Sequence, residues 1–339
     1  MPAPTTLDIY TTTYSSASSL PADVWTAFRS NPRNSNVMLP IALKSLGREK
    51  DTGSSREQCW IVVHSLETID FVLSVTNGDI GKYPIFVFTT HPIHRLTNNF
   101  LLPRLTRLAE EMTRVLPVRR VYSIFAPDAI TKTLVEIWSS MTGVPFYPEP
   151  YYHAKLSFCT KRSLVDRQMT TFPGLVYELR PAVDSDLRAV AELCYLFAED
   201  SEPFVLSMEA SLEEAATLIR NNQVWVHGVR RPSDEVQEIA SIVAFTRNSE
   251  TLATISKVFT NPKWRRRGCA ERLVRRVCKH LLATKQNVAL YVAHNNPAAT
   301  NVYHRVGFLG LGGGSAPVEG VDSWLEIGFD RSQVDLGHW

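Results

Sequence analysis

The segment Val258-Phe259-Thr260-Asn261-Pro262-Lys263-Trp264-Arg265-Arg266-Arg267-Gly268-Cys269-Ala270 constrains this chain most. An apolar run leads into a basic turn with a proline and a glycine, and small residues then open a periodic stretch. The pattern reads as strand, tight turn and helix. Gly268 lets the backbone approach an anion closely, and Ala270 keeps the next turn uncrowded. The first N–H groups of a helix have no carbonyl partner inside it, and together with the helix dipole they favour negative charge. Arg265, Arg266 and Arg267 add charge-assisted donors suited to a pyrophosphate and a neighbouring ribose phosphate. The plainer alternative is a solvated basic surface or an import-like run. Behind the turn, Cys269/Ala270, Leu273/Val274, Val277/Cys278 and Leu281/Leu282 form an apolar stripe at helical spacing. Glu271, Arg272, Arg275, Arg276 and Lys279 are expected to face water.

A second element runs from Val288 to Phe308. It starts as a continuous apolar strand and becomes a sharply bounded helix, with Asn296 as N-cap, Pro297 at the first helical position and Gly307 as the stop. Asn296, Ala299 or Thr300, and Tyr303 fall on one helical face, so an amide and a phenol look the same way. A phenol there suits protonation of a leaving thiolate. It equally suits an aromatic anchor between helix and sheet.

These two elements resemble the signatures of the GNAT superfamily of acyl-CoA N-acyltransferases. Arg265-x-x-Gly268-x-Ala270 is similar to that family's Q/R-x-x-G-x-G/A loop. Asn296-x-x-Ala299-x-x-x-Tyr303, followed by Gly307-Phe308, is similar to its N-x-x-A-x-x-x-Y helix. The resemblance covers about residues 175–330 and implies an α/β (α+β) fold, with a mixed central sheet flanked by helices. It implies acetyl-CoA, or another acyl-CoA, as co-substrate, with no metal. Val258, Phe259 and Thr260 would offer main-chain hydrogen bonds to the pantetheine arm. Arg265, Arg266, Arg267, Gly268, Cys269, Ala270 and Glu271 would cradle the pyrophosphate through backbone N–H groups. Asn296 would contact the cofactor, and Tyr303 would be the general acid. The activity implied is N-acyl transfer to a primary amine, on a small molecule or a protein, by direct attack in a ternary complex. A non-catalytic acetyl-CoA-binding sensor or scaffold is the alternative.

The remaining elements follow the same order. Strands are expected at residues 175–179, 223–229, 238–247, 252–260 and 324–330, and helices at 184–199 and 211–220. One departure from the family matters: residues 251–260 contain no Asp or Glu to deprotonate an amine. Glu199, Asp200 and Glu202 follow the first helix and could act through water, or form only a solvated acidic loop. Lys257 is unusual inside such a strand and would meet a substrate carboxylate or snorkel to the edge. His294 is a further candidate base, or a structural histidine.

A length of 339 residues suggests two domains. Val87-Phe88-Thr89-Thr90-His91-Pro92 echoes Val258-Phe259-Thr260-Asn261-Pro262, and each is followed by helix, apolar strand and helix. The first half therefore reads as a diverged copy of the same fold, giving two tandem copies, with an unrelated α/β domain as the alternative. The expected division is a polar arm at residues 1–19, a motif-less domain at 20–161, a linker at 162–174 and the acyltransferase domain at 175–339. The first copy has Thr97, Asn98 and Asn99 where Gly268 would fall, so no phosphate nest is proposed there.

Composition bounds the rest. With 44% hydrophobic and 21% charged residues the chain can bury a substantial core, and a net charge of +2 gives no reason to expect nucleic acid. Cys59, Cys159, Cys194, Cys269 and Cys278 show no metal-ligand spacing and fit reduced thiols in the cytoplasm or nucleus. No apolar run is long enough to span a bilayer. A monomer or homodimer is expected.

Overall fold

The computed structural model describes residues 8–52, 57–78, 81–167, 173–233, 237–314 and 317–339. The start of the polar arm and residues 168–172 of the expected linker lie outside them. The chain forms two compact units, Met1–Ala154 with Asp322–Trp339, and Lys155–Val321.

In chain order the elements are β1 (Ile9–Tyr14), α1 (Ala22–Ser30), α2 (Leu39–Thr52), β2 (Cys59–Ser65), β3 (Thr68–Val75) and β4 (Ile85–Thr89). Then come α3 (Asn98–Val115), β5 (Ser123–Pro127), α4 (Asp128–Thr142), β6 (Tyr152–Thr160), β7 (Val176–Pro181), α5 (Leu187–Glu199) and α6 (Met208–Arg220). Next are β8 (Val224–Arg230), β9 (Glu238–Ala244), β10 (Arg247–Asn248), β11 (Leu252–Ile255) and β12 (Lys257–Thr260). Last are α7 (Cys269–Leu281), β13 (Asn287–Ala293), α8 (Pro297–Val306) and β14 (Ser323–Gly328).

In the first unit the strands run β1-β2-β3-β4-β5-β14. Pairing is antiparallel from β1 to β4, parallel between β4 and β5, and antiparallel between β5 and β14. The second unit repeats the scheme. Strands β7, β8, β9 and β12 pair antiparallel, and β11 pairs parallel with β13. Each unit thus shows strand, two helices, antiparallel strands, helix, parallel strand and helix, and the mixed α/β fold is present in two tandem copies.

Two features depart from the sequence expectations. The strand expected at 324–330 as the end of the acyltransferase domain is β14, and it pairs with β5 of the first unit, Glu326 opposite Phe125. The reason lies in its side chains: Trp324 and Phe329 are fully buried there, and the Glu326 carboxylate accepts hydrogen bonds from Ser123 Oγ (2.7 Å) and Trp339 Nε1 (3.0 Å). Second, the strand expected at 252–260 breaks at Ser256. Its N–H donates to the Ala244 carbonyl at 2.9 Å and its hydroxyl accepts from Thr246 Oγ1 at 3.0 Å, turning the chain from the β13 side to the β9 side.

Candidate coenzyme site in the second unit

That break builds the site. Up to Ile255, which lies opposite Leu290, the strand follows β13; from Lys257 on it follows β9. β13 continues to Ala293, so β12 and the end of β13 part and leave a notch. β12 is the edge strand of its sheet. Asn261 N–H donates to the Ala240 carbonyl at 3.0 Å, and antiparallel alternation then turns the main-chain groups of Phe259 and Lys257 to β9. The main-chain groups of Val258 and Thr260 face the open edge. An unpaired strand edge is a template for any extended chain carrying amide groups. Of the three strand residues named from sequence, Phe259 is therefore committed elsewhere: Ser241 Oγ donates to its carbonyl at 2.7 Å, and its ring packs against Phe197.

The turn that follows has the backbone of an anion nest. Asn261 caps a short 3-10 turn over Pro262–Trp264, accepting from Lys263 N–H at 3.1 Å. Arg266 (φ 60°) and Gly268 (φ 71°) both take the left-handed conformation, the second immediately before α7. Successive N–H groups in such a turn converge on one point. No side chain caps α7, so its first N–H groups stay available to a ligand. Arg265, Arg266 and Arg267 are exposed. The Arg265 guanidinium lies 5.3 Å from the Phe259 ring and donates to the Thr260 carbonyl at 3.2 Å, while that of Arg267 lies 4.9 Å from the Trp264 ring. Burial pushes the Cys269 thiol up, outweighing Arg272 and Arg267, so it offers no thiolate to the turn.

The charged residues of α7 correct the expectation that they face water. Arg276 and Lys279 are exposed, but Glu271, Arg272 and Arg275 are buried. Glu271 accepts from Arg275 Nη2 at 2.9 Å and from Arg305 Nε of α8 at 2.6 Å. Arg275 also donates to the Val165 and Arg305 carbonyls, and Arg272 donates to the Arg267 carbonyl while lying over Tyr177. The Glu271 side chain is thus a fastener between α7 and α8, which leaves only its N–H free of that knot. Burial raises its carboxyl pKa, but Arg305 and Arg275 outweigh that and hold it below the usual range.

On α8, Asn296 Oδ1 caps the helix by accepting from Ala299 N–H at 3.0 Å. Tyr303 is buried in the core cluster that includes Val292, Val306 and Phe308 and against which Val258 and Ala299 pack, so the phenol and the strand edge share one cluster. Its ring centroid is 5.7 Å from that of Phe308. Gly307 (φ 112°) ends the helix where a Cβ would strike the Ser163 carbonyl oxygen at 1.9 Å.

Lys257 does not snorkel to the strand edge, and the carboxylate it meets belongs to the chain itself, Glu214 of α6. That carboxylate was not singled out by sequence. The available signal was two opposite charges out of place, one in an apolar strand and one beside the buried Ala215 and Leu218. Asp200 stands 3.9 Å from Arg265; both are exposed. Among the described residues no group of His, Cys, Asp and Glu is placed to hold a metal, and no helix is long and apolar enough to cross a membrane.

In the first unit the equivalent place is built differently. Ile93–Arg95 form a 3-10 turn, Thr97 stands at the N-cap position of α3 without a side-chain cap hydrogen bond, and Arg104 of α3 and His91 both bond Asp70, at 2.8 and 2.7 Å. No described residue between β4 and α3 has positive φ.

The class defined by this notch, turn and duplicated topology is the GNAT fold in tandem. A Drosophila protein of known crystal structure matches with a TM-score of 0.58 at 13% identity, over 90% of this chain and 96% of that one. A GCN5-related N-acetyltransferase from Sphaerobacter thermophilus matches with 0.56 at 14%, over 96% and 98%. A tandem GNAT protein from the clavulanic acid biosynthesis pathway matches with 0.51 at 14%, over 95% and 98%. Residues 234–311 match the model of FR47-like proteins. The chain thus has the GNAT fold in two tandem copies, and the segment that matches the family model lies in the second unit. No curated protein matches it.

Proposed function

We propose that the second unit is an acyl-CoA-dependent N-acyltransferase, with acetyl-CoA as donor and a primary amine as acceptor, joined in a ternary complex. The observation that carries this reading is the open edge of β12 directly preceding the left-handed turn at Arg266 and Gly268. An extended pantetheine arm matches the edge, and a pyrophosphate matches the nest and the exposed arginines.

In this reading Val258 and Thr260 bind the arm through main-chain groups, and Val258 N–H polarises the thioester carbonyl as negative charge develops. The neutral amine attacks that carbonyl, the C–S bond breaks, and Tyr303 gives its proton to the departing sulfur. Asn296 fixes the start of α8 and thereby the register of Tyr303, two turns on. The amine's proton leaves through water or an acid of the α5–α6 loop, since β11 and β12 carry no carboxylate. The absence of a carboxylate there also motivates the second reading, a coenzyme-binding sensor or scaffold without turnover.

Incubation with acetyl-CoA and a pooled amine library, with mass detection of acylated products, separates the two. Acylated products support the enzyme. Tight acetyl-CoA binding with no product across a broad panel supports the sensor.

A further inference from the structure

On the α5–α6 side of β12 lies an ion pair that the proposed chemistry leaves unused. Lys257, the first residue of β12, donates from Nζ to both oxygens of Glu214 on α6, at 2.7 and 2.6 Å. The two side chains are only 10% and 16% exposed. Nζ lies 5.0 Å from the Phe197 ring centroid on α5. Cys194 of α5 is held against the same pair, where burial pushes its thiol up to about 12 and keeps it neutral. One turn before Glu214, the Ser211 hydroxyl is buried and has no hydrogen-bond partner among the described residues.

Stability alone is a poor explanation for this arrangement. Two charges taken out of water recover the loss only with good geometry, and packed apolar residues of similar volume often serve stability as well or better. Position explains it more directly. Lys257 is the first residue after the break at Ser256, and Val258, whose main chain faces the notch, is the next. Backbone bonds to β9 hold β12 within the plane of its sheet. Along the notch the strand has no described backbone partner. The bidentate link to α6 supplies a second attachment, out of that plane.

We propose that Glu214 and Lys257 form a strut that positions the β12 edge, so that the main-chain groups of Val258 and Thr260 are fixed before coenzyme arrives. Both are positioning residues. The proposal rests on the reading of the notch as the coenzyme site.

The test uses the full chain as wild type, E214Q/K257M and K257R, with amide exchange read at residues 257–260 and 287–293 and acetyl-CoA binding read by calorimetry. In the double variant, which removes both charges together, the unfolding midpoint should stay near that of wild type while exchange at 257–260 rises about tenfold or more and β13 is unchanged. Acetyl-CoA affinity should fall about fivefold or more, and K257R, which keeps the charge pair, should stay within about twofold of wild type in both readings. Wild-type exchange and affinity in the double variant would overturn the strut. Should that variant fail to fold, E214D decides: faster exchange confined to 257–260 supports the strut, and unchanged exchange overturns it. A wild type that binds no acetyl-CoA would remove the coenzyme reading, and exchange at 257–260 would still decide the strut.

Discussion

Gly268 and Tyr303 carry the sharpest consequences at the scale of single residues. Gly268 sits at φ 71°, where a β-branched side chain is strained, and in the proposed function it is also the point where backbone would meet the phosphate. Gly268→Val should therefore weaken acetyl-CoA binding by about tenfold or more, roughly 1.4 kcal/mol or greater, measured by calorimetry. Unchanged affinity in a folded variant would remove the phosphate cradle. Tyr303 poses the opposite question, because its buried ring serves the core whatever its hydroxyl does. Tyr303→Phe keeps the ring, so coenzyme affinity and thermal stability should hold while turnover falls by about two orders of magnitude, the usual worth of a positioned acid. Equal losses of stability and activity would identify an anchoring tyrosine instead.

Between elements, the knot of Glu271, Arg275 and Arg305 ties α7 to α8, the helix that carries Tyr303. The Glu271 carboxyl is held below its usual range, so the stability it contributes is present above the unfolded value near 4.5 and lost as pH falls through the lower folded value. Glu271→Gln leaves Arg275 buried beside a neutral partner and should cost about 3 kcal/mol at pH 7. The gap to wild type should narrow as pH falls below about 4, which urea unfolding across pH would reveal. An equal gap at pH 3 and 7 would show that shape rather than charge is at stake. This knot also marks a limit of sequence reading. The apolar stripe of α7 was legible because its spacing is local, and so were the tight turn at Gly268, the cap at Asn296 and the stop at Gly307. Glu271, Arg272 and Arg275 read as solvated because their partners lie in other elements: Arg305 and Tyr177, and the Val165 carbonyl. The same holds for Lys257 and Glu214, and for the break at Ser256, whose bonds go to Ala244 and Thr246.

At the scale of the whole molecule, the duplication was legible as a repeated order of elements, but the allegiance of β14 was not, since pairing with β5 spans some two hundred residues and leaves no local trace. Its burial makes that pairing testable. Trp324, Leu325, Ile327 and Phe329 are all nearly inaccessible in the first unit, and at about 1.5 to 3 kcal/mol for each large apolar side chain they contribute roughly 6 to 12 kcal/mol. That range is comparable to the entire stability of a typical domain, about 5 to 15 kcal/mol. Glu326 adds to the constraint: burial raises its carboxyl to about 7, and removing β14 also strips Ser123 of its partner. A chain ending at Val321 should therefore lose amide protection in β4, β5 and α4, whereas β8 and β9, whose pairing involves no residue beyond 321, should keep theirs. Exchange measured peptide by peptide on the full and shortened chains checks this. Loss of protection in β8 and β9 with β5 intact would instead return β14 to the second unit, where the sequence alone had placed it.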